Sequence, residues 1–96
     1  MLVLITYDVN TETDAGKKRL RKVAKQCTNY GRRVQYSVFE CIVDSTQCVA
    51  LKAILIDIIN QEKDSLRFYY LGNNYRTKVE HIGVDHGIEV DQPLIL

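Results

Sequence analysis

The sequence predicts an α+β fold of the ferredoxin-like kind, in which two helices pack on one face of a mostly antiparallel sheet. Three observations support this prediction. The segments follow the order strand, helix, strand region, helix, strand, strand and tail. Both helical segments begin behind capping residues and carry an apolar stripe. The 96 residues contain no repeat or linker-like stretch, so residues 1–96 are expected to form a single domain.

The first strand is expected at the centre of the sheet. Residues 2–7 are apolar, aromatic or β-branched on both faces, a pattern typical of a strand covered on both sides. The two helices cover one face. Because a domain this small has a thin core, a second copy of the chain is expected to cover the other face, which predicts a homodimer.

The first helix is predicted to begin behind Thr11 or Thr13 and to run to about Asn29. Gly31 is expected to stop it in a left-handed conformation. The apolar stripe that should face the sheet consists of Gly16, Leu20, Val23, Ala24 and Cys27.

The middle of the chain predicts more strand and a second helix. Residues 33–43 have strand composition and form either one bent strand or two short ones. Asp44 and Gln47 have the spacing of a capping box ahead of a helix over about 46–62.

The last third predicts strands at 66–71 and 78–82, the second of them an edge strand or a half-exposed strand, with a turn at Gly72 between them. An apolar tail follows at 88–96. We expect this tail to form a C-terminal dimerisation strand, added to a sheet edge of its own chain or of the partner.

The composition excludes two classes of protein. The longest apolar runs are a few residues long, far short of the roughly 20 needed to span a bilayer, so no membrane association is expected. The N-terminus lacks the features of a secretory signal, which predicts a cytoplasmic location. The three cysteines show no metal-binding spacing and are expected to be free, buried thiols rather than part of a disulfide scaffold.

The net charge of +1 hides a strong asymmetry. Residues 15–39 hold eight basic and no acidic side chains, whereas the remainder holds five basic and twelve acidic ones. Ion pairs along the helix cannot neutralise this run, because it contains no acids. The run predicts contact with the phosphates of a nucleic acid, without base readout, and the alternative is a solvated helix face. Its members are Lys17, Lys18, Arg19, Arg21, Lys22, Lys25, Arg32 and Arg33.

Asp8 is the leading candidate for chemistry because it lies where the buried first strand ends. On the residues alone, two interpretations stay open. Asp8 either begins a turn or assists the cap of the following helix, or it is a magnesium ligand, since Mg²⁺ often binds through one or two carboxylates with waters. The two histidines, His81 and His86, are isolated, and His81 is expected to pack or to form hydrogen bonds.

The chain resembles the small CRISPR-associated endonuclease, the second core protein of the spacer-acquisition complex. The resemblance is carried by Tyr-Asp-Val at 7–9, by the basic helix and by Gln-Tyr-Ser-Val-Phe-Glu at 35–40. Segments at 64–72, 78–83 and 93–96 extend it over essentially the whole chain. The segment around His81 is similar to members that accompany type I-C systems.

The resemblance implies a homodimer with a swapped C-terminal strand and Asp8 as the catalytic, metal-binding residue for Mg²⁺, or for Mn²⁺ in its place. It places Tyr7, Arg19, Ser37 and Phe39 near the active site. It implies cleavage of single-stranded RNA or double-stranded DNA. It also implies a role in spacer integration, with the CRISPR-associated integrase as partner. The alternative function is a non-catalytic DNA-binding scaffold that bridges two integrase dimers.

Overall fold

The computed structural model describes residues 1–71 and 78–84. The elements are, in chain order, β1 (Leu2–Asp8), α1 (Asp14–Thr28), β2 (Gly31–Gln35), β3 (Val38–Ile42), α2 (Ser45–Ile58), β4 (Ser65–Leu71) and β5 (Lys78–Gly83). The predicted turn at Gly72 and the predicted strand at 88–96 lie outside the described residues. In the part of the chain that is described, neither helix is long and apolar enough to cross a membrane.

The strands form one antiparallel sheet in the order β2-β3-β1-β4-β5. β1 lies at the centre, where Leu2 pairs with Ile42 of β3 on one side and with Leu71 of β4 on the other. The first six elements alternate as β-α-β-β-α-β, the ferredoxin-like arrangement, and β5 extends the sheet beyond β4. The predicted fold class and the central place of β1 are therefore confirmed.

Both helices pack on the same face of the sheet. Val3, Ile5 and Tyr7 of β1 join buried residues of α1 and α2 in one apolar core. Because side chains alternate along a strand, the residues between them point to the opposite face, here called the Asp8 face. The Asp8 face includes Leu4, Thr6, Asp8, Ser65, Arg67, Tyr69, Val79 and His81.

The start of α1 is set by Thr13, the second of the two predicted capping residues. The Thr13 hydroxyl oxygen accepts a hydrogen bond from the Gly16 backbone N–H at 3.0 Å. The predicted apolar stripe is confirmed, since Val23 and Cys27 are fully buried and Leu20 packs against the core with its neighbours. The opposite side of α1 is left to the basic residues.

The conformation predicted for Gly31 is wrong. α1 ends at Thr28 with Asn29 as its cap, and Gly31 opens β2. Among the glycines that the structure describes, only Gly83 has a positive φ. A Cβ atom at position 31 would lie 2.2 Å from the backbone oxygen of Glu40. Glycine is needed there because β2 approaches β3 closely, not because the helix needs a left-handed stop.

The strand region after α1 consists of two short strands rather than one bent strand. β2 and β3 are separate strands that pair antiparallel, with a change of register between Arg33 and Gln35. Residues 36–37 form the turn between them.

The capping box of α2 is confirmed, but the predicted end of the helix is wrong. The Asp44 carboxylate accepts from the Gln47 backbone N–H at 2.7 Å, and the Gln47 side-chain oxygen accepts from the Asp44 N–H at 3.0 Å. α2 ends at Ile58 rather than at 62. The chain leaves the helix because residues 60–64 form a turn, in which the Asp64 N–H donates to the Asn60 carbonyl at 2.7 Å.

β5 lies at the edge of the described sheet, as predicted for this segment. A contact with α2 fixes it, since Lys52 Nζ lies 2.6 Å from Glu80 Oε1. The Tyr70 hydroxyl donates to the same oxygen at 3.0 Å. Together these contacts tie β4, β5 and α2 to one another.

The three thiols are free and buried, as the sequence predicts. Burial is the largest cause that raises the pKa of Cys27 to about 12 and the pKa of Cys41 to about 11, from an ordinary value of 9.0. A rise of two units lowers the thiolate fraction about 100-fold near neutral pH. These cysteines are therefore poor nucleophiles.

We expect Cys27 and Cys41 of the native protein to react with iodoacetamide at pH 8 about 100-fold more slowly than an exposed cysteine, or slower still. Mass spectrometry of the alkylated protein over time measures this. The same reaction in urea should label all three cysteines and serves as the control. Fast labelling of either residue in the native state would contradict the prediction.

Candidate active site and nucleic-acid interface

Asp8 is the last residue of β1 and lies opposite Ser65 of β4, on the Asp8 face of the sheet. Its side chain is exposed. The two structural tasks considered for Asp8 are performed by other residues. Thr13 caps α1, and the Asn10 side chain accepts from the Glu12 N–H at 3.0 Å and forms the turn after the strand.

Asp8 opens onto a small pocket with a volume of about 100 Å³. Its wall consists of residues from β1, β4 and β5 and of Val84, which follows β5. The lining residues are Thr6, Tyr7, Asp8, Ser65, Arg67, His81 and Val84. The pocket therefore combines a carboxylate, the two aliphatic hydroxyls of Thr6 and Ser65, a guanidinium and an imidazole at one end of the sheet.

Arg67 and His81 are two pocket residues to which sequence reasoning gave no role in the site. Arg67 is only 8% exposed, and its Nε donates a hydrogen bond to His81 Nδ1 at 3.0 Å. Because His81 Nδ1 accepts, the proton of the neutral ring lies on Nε2, which is 2.9 Å from the Val84 carbonyl oxygen and donates to it. The signal that could have found Arg67 is a charged residue between Leu66 and Phe68 in an otherwise buried strand.

Asp64 anchors the loop that follows Asp8. This residue is fully buried, and its carboxylate accepts from the backbone N–H groups of Asn10 and Asn60 at 3.0 and 2.9 Å. Arg19 Nε donates to it at 2.7 Å and a second Arg19 nitrogen at 3.3 Å. Burial acts to raise the pKa of Asp64, but the Arg19, Asn60 and Asn10 hydrogen bonds outweigh it, so the pKa is lowered.

Arg19 therefore differs from the other basic residues of α1. Its side chain is 16% exposed and is engaged with Asp64, which holds α1 against the loop after Asp8. The structure places Arg19 near the candidate site, but its guanidinium has a structural partner. Asp64 was not expected to have this role, because its partner lies 45 residues away in the chain.

The remaining basic residues of α1 form an exposed surface. Lys18, Arg21, Lys22 and Lys25 line one shallow groove of about 290 Å³, here called the basic groove. Lys17 lies beside them on the same helix and is also exposed. None of these five side chains forms an ion pair with a carboxylate within residues 1–71 and 78–84. The positive charge of the groove is therefore not offset by the described part of the chain.

The two arginines of β2 have different surroundings. Arg32 is 79% exposed and lies 3.5 Å from the Glu40 carboxylate, a weak surface ion pair. The Arg33 guanidinium lies 5.3 Å from the centre of the Phe39 ring, in cation–π geometry. Both arginines are near the hairpin and are separate from the residues that line the basic groove.

Three of the four residues that the resemblance places near the active site, Tyr7, Ser37 and Phe39, occupy the helix side of the sheet or the hairpin turn. The Tyr7 ring stacks on Phe39 with 6.1 Å between ring centres, and its hydroxyl donates to the Tyr36 carbonyl at 3.3 Å. The Tyr7 backbone N–H donates to the Ser37 carbonyl at 3.1 Å. Burial raises the pKa of Tyr7, with Arg33 partly opposing it. Of the three, only Tyr7 lines the described pocket.

The pocket suits Mg²⁺ only as a sparse site. Asp8 supplies a hard oxygen ligand, as Mg²⁺ prefers. Within the described residues, no group of three or more histidine, cysteine or carboxylate side chains is placed to hold a metal. The described part of one chain therefore offers one carboxylate at this pocket, and the remaining ligands would be waters, substrate oxygens or a second copy of Asp8.

The fold and the site define a small ferredoxin-like protein with a strand-end carboxylate and a basic helix on its outer surface. Comparison with known proteins gives the family. The model of the family "CRISPR associated protein Cas2" matches residues 1–79. The chain belongs to the Cas2 family of CRISPR-associated proteins.

Relatives that match over nearly the whole of both chains support this assignment. The chain is 67% identical over 95 residues to the CRISPR-associated endonuclease Cas2 of Halalkalibacterium halodurans, covering 99% of each chain. It is 56% identical to the CRISPR-associated endoribonuclease Cas2 of Nitratidesulfovibrio vulgaris, covering 100% of this chain and 94% of the relative. The crystal structure of Streptococcus pyogenes Cas2 at pH 6.5 superposes with a TM-score of 0.71 at 60% identity, covering 78% of this chain and 90% of that one.

Proposed function

We propose that this chain is a metal-dependent endonuclease that hydrolyses phosphodiester bonds at Asp8 and takes part in CRISPR spacer integration. The observation that carries the proposal is the place of Asp8, exposed at the end of β1 in a pocket that also contains Arg67. The names of the relatives, endonuclease in one case and endoribonuclease in the other, support the reaction class. They leave double-stranded DNA and single-stranded RNA as the two candidate substrates.

The mechanism assigns a task to each part of the chain. Asp8 holds Mg²⁺ or Mn²⁺, and such an ion, when bound, polarises the scissile phosphate and lowers the pKa of the attacking water. The basic groove binds the flanking phosphates without reading bases. Asp64 fixes the loop after Asp8 through the Asn10 amide. The catalytic carboxylate is thereby held on a rigid strand end.

A homodimer would complete this site. Ile42, on the same face of the sheet as Asp8, is a large apolar side chain that is 76% exposed and that a second copy would cover. A twofold axis through this face would bring two Asp8 carboxylates to one place, and one carboxylate per chain would then suffice. The same dimer would present two basic grooves to one duplex, which suits the proposed role of holding spacer DNA beside the integrase.

We expect replacement of Asp8 by alanine to reduce Mg²⁺-dependent cleavage by about 100-fold or more, because the metal contributes several kcal/mol of transition-state stabilisation. The assay incubates labelled duplex DNA and single-stranded RNA with the protein in Mg²⁺, in Mn²⁺ or in EDTA. Asp57→Ala, at an exposed position of α2, is the matched control and should cleave like the unchanged chain. Equal cleavage by the Asp8 variant would reject the proposal.

The second candidate function is a non-catalytic scaffold that holds DNA between two integrase dimers. The basic groove favours it, because phosphate binding there does not involve Asp8. In this case duplex DNA binds equally well to the unchanged chain and to Asp8→Ala, and neither cleaves in Mg²⁺. The same assay therefore separates the two functions.

A further inference from the structure

The geometry points to Arg67 as the residue that binds the phosphodiester group beside Asp8, with His81 as the positioning residue that fixes its guanidinium. This inference rests on the proposed function and names how the same site holds its substrate. It is carried by the burial of Arg67, by its hydrogen bond to His81 and by the pocket that both residues share with Asp8.

The burial of Arg67 needs a reason. The residue is only 8% exposed, although its side chain lies on the Asp8 face and not in the apolar core that holds Leu66 and Phe68. Taking a guanidinium out of water is costly unless other groups offset its charge. His81 supplies a hydrogen-bond acceptor, and Asp8 is the one carboxylate among the described residues that line the same pocket. A cation kept in such surroundings at the end of the sheet is suited to an anionic ligand.

His81 holds the guanidinium in one orientation. The ring is fixed at both nitrogens, with Nδ1 accepting from Arg67 Nε at 3.0 Å and Nε2 donating to the Val84 carbonyl at 2.9 Å. The contact with His81 uses one of the five N–H groups that a guanidinium carries. The planar fork of arginine matches two oxygens of a phosphate, which a lysine ammonium does not. A fixed fork therefore favours a phosphodiester over a monodentate anion.

The charge and size of the pocket agree with this ligand. A phosphodiester carries one negative charge, so Asp8 alone would repel it, and the Arg67 guanidinium on the same pocket wall offsets that repulsion. The pocket is small, about 100 Å³, and partly open to solvent, which suits contact with one phosphoryl group of the backbone.

The first test uses no metal and no cleavage. A dinucleoside monophosphate is titrated in EDTA, and the ring signals of His81 are followed by NMR. The chain has two histidines, so a His81→Gln variant identifies the signals. We expect a saturable shift of the His81 signals, and at least about a tenfold loss of affinity in Arg67→Gln, since charge-assisted hydrogen bonds are lost.

Two further variants complete this test. Lys78→Gln removes one positive charge from β5 outside the pocket and should bind like the unchanged chain. Arg67→Lys keeps the charge but lacks the fork, so an intermediate affinity is expected, and this variant replaces Arg67→Gln should the latter fail to fold. The inference would be overturned if the His81 signals of the unchanged chain did not move, or if they shifted in both Arg67 variants as they do in the unchanged chain.

The second test measures cleavage with Mg²⁺ on the substrate that the unchanged chain cuts. Arg67→Gln is expected to raise KM about tenfold or more, and His81→Gln to raise it by less, because His81 acts through Arg67. A purely structural role would instead lower the unfolding midpoint and leave KM unchanged, which would overturn the inference. A chain that binds the dinucleoside monophosphate through Arg67 but cleaves nothing would reject the proposed nuclease and keep the phosphate site.

Discussion

Replacing Asp64 by alanine is expected to lower the free energy of unfolding by about 3–5 kcal/mol, the range for removing one partner of a buried ion pair. The Asp64 carboxylate joins three separate parts of the chain, through Arg19, Asn10 and Asn60. Alanine would leave a largely buried guanidinium and two amides without this acceptor. Small domains have a total stability of only about 5–15 kcal/mol, so the loss is a large share of it.

Urea unfolding followed by circular dichroism measures this change as a lower midpoint at an unchanged slope. Asp57→Ala, which removes an exposed carboxylate of α2, is the matched control and should change the free energy of unfolding by less than about 1 kcal/mol. A similar small change in Asp64→Ala would show that the buried carboxylate does not hold the three segments together.

The pH dependence of stability follows from the same group. The pKa of Asp64 is lowered from its ordinary value of 3.8, so its contribution is fully present above pH 3.8 and is lost as the pH falls towards the folded-state value. In this window the unfolded chain takes up a proton that the folded chain does not. Asp64→Asn should lack this part of the acid sensitivity. Parallel stability profiles of the two proteins below pH 4 would contradict the argument.

Neutralising Lys18 and Lys22 together is expected to weaken duplex binding by roughly 10- to 100-fold at 0.1 M salt, equally for every DNA sequence. Both residues line the basic groove, where the described part of the chain supplies no carboxylate partner. Each phosphate contact contributes about 0.9 to the slope of log affinity against log salt. The slope of the Lys18→Gln/Lys22→Gln variant should therefore be shallower by about 1.8 for each bound chain.

Fluorescence anisotropy with labelled duplexes of two unrelated sequences, at several salt concentrations, tests this expectation. The matched control is Lys63→Gln/Lys78→Gln, which removes the same charge from exposed positions outside the basic groove. An unchanged salt slope in the groove variant, or a change of sequence preference, would show that these lysines are not phosphate contacts. An equal loss in the control would show that net charge alone governs binding.

The fold could be predicted from local patterns because its main signals are short-range. The double-sided apolar strand identified β1 as central, and the spacing of Asp44 and Gln47 located the start of α2. The apolar stripe with Val23 and Cys27 identified the buried side of α1. Each of these signals is contained within a few residues, so no knowledge of distant partners was needed.

The site could be predicted only in part, because its remaining residues depend on partners that are distant in the chain. Asp8 was identified by its place at a strand end. Asp64 meets Arg19 across 45 residues, and Arg67 meets His81 through the register of β4 and β5. The prediction for Gly31 was wrong for the same reason, since the backbone of Glu40 determines the need for glycine there.

The central position of β1 has a consequence for synthesis of the protein. This strand leaves the ribosome before both of its partners, β3 and β4, and its Leu2 pairs with Leu71. At about 5–20 residues per second, the β4 partner follows roughly 3–14 s behind. Both edges of β1 are unpaired until β3 has been made, and the edge that pairs with β4 stays unpaired for the whole of this time. The strand in the middle of the sheet is therefore the one that waits longest for its last partner, and its open edge can meet wrong partners during that wait.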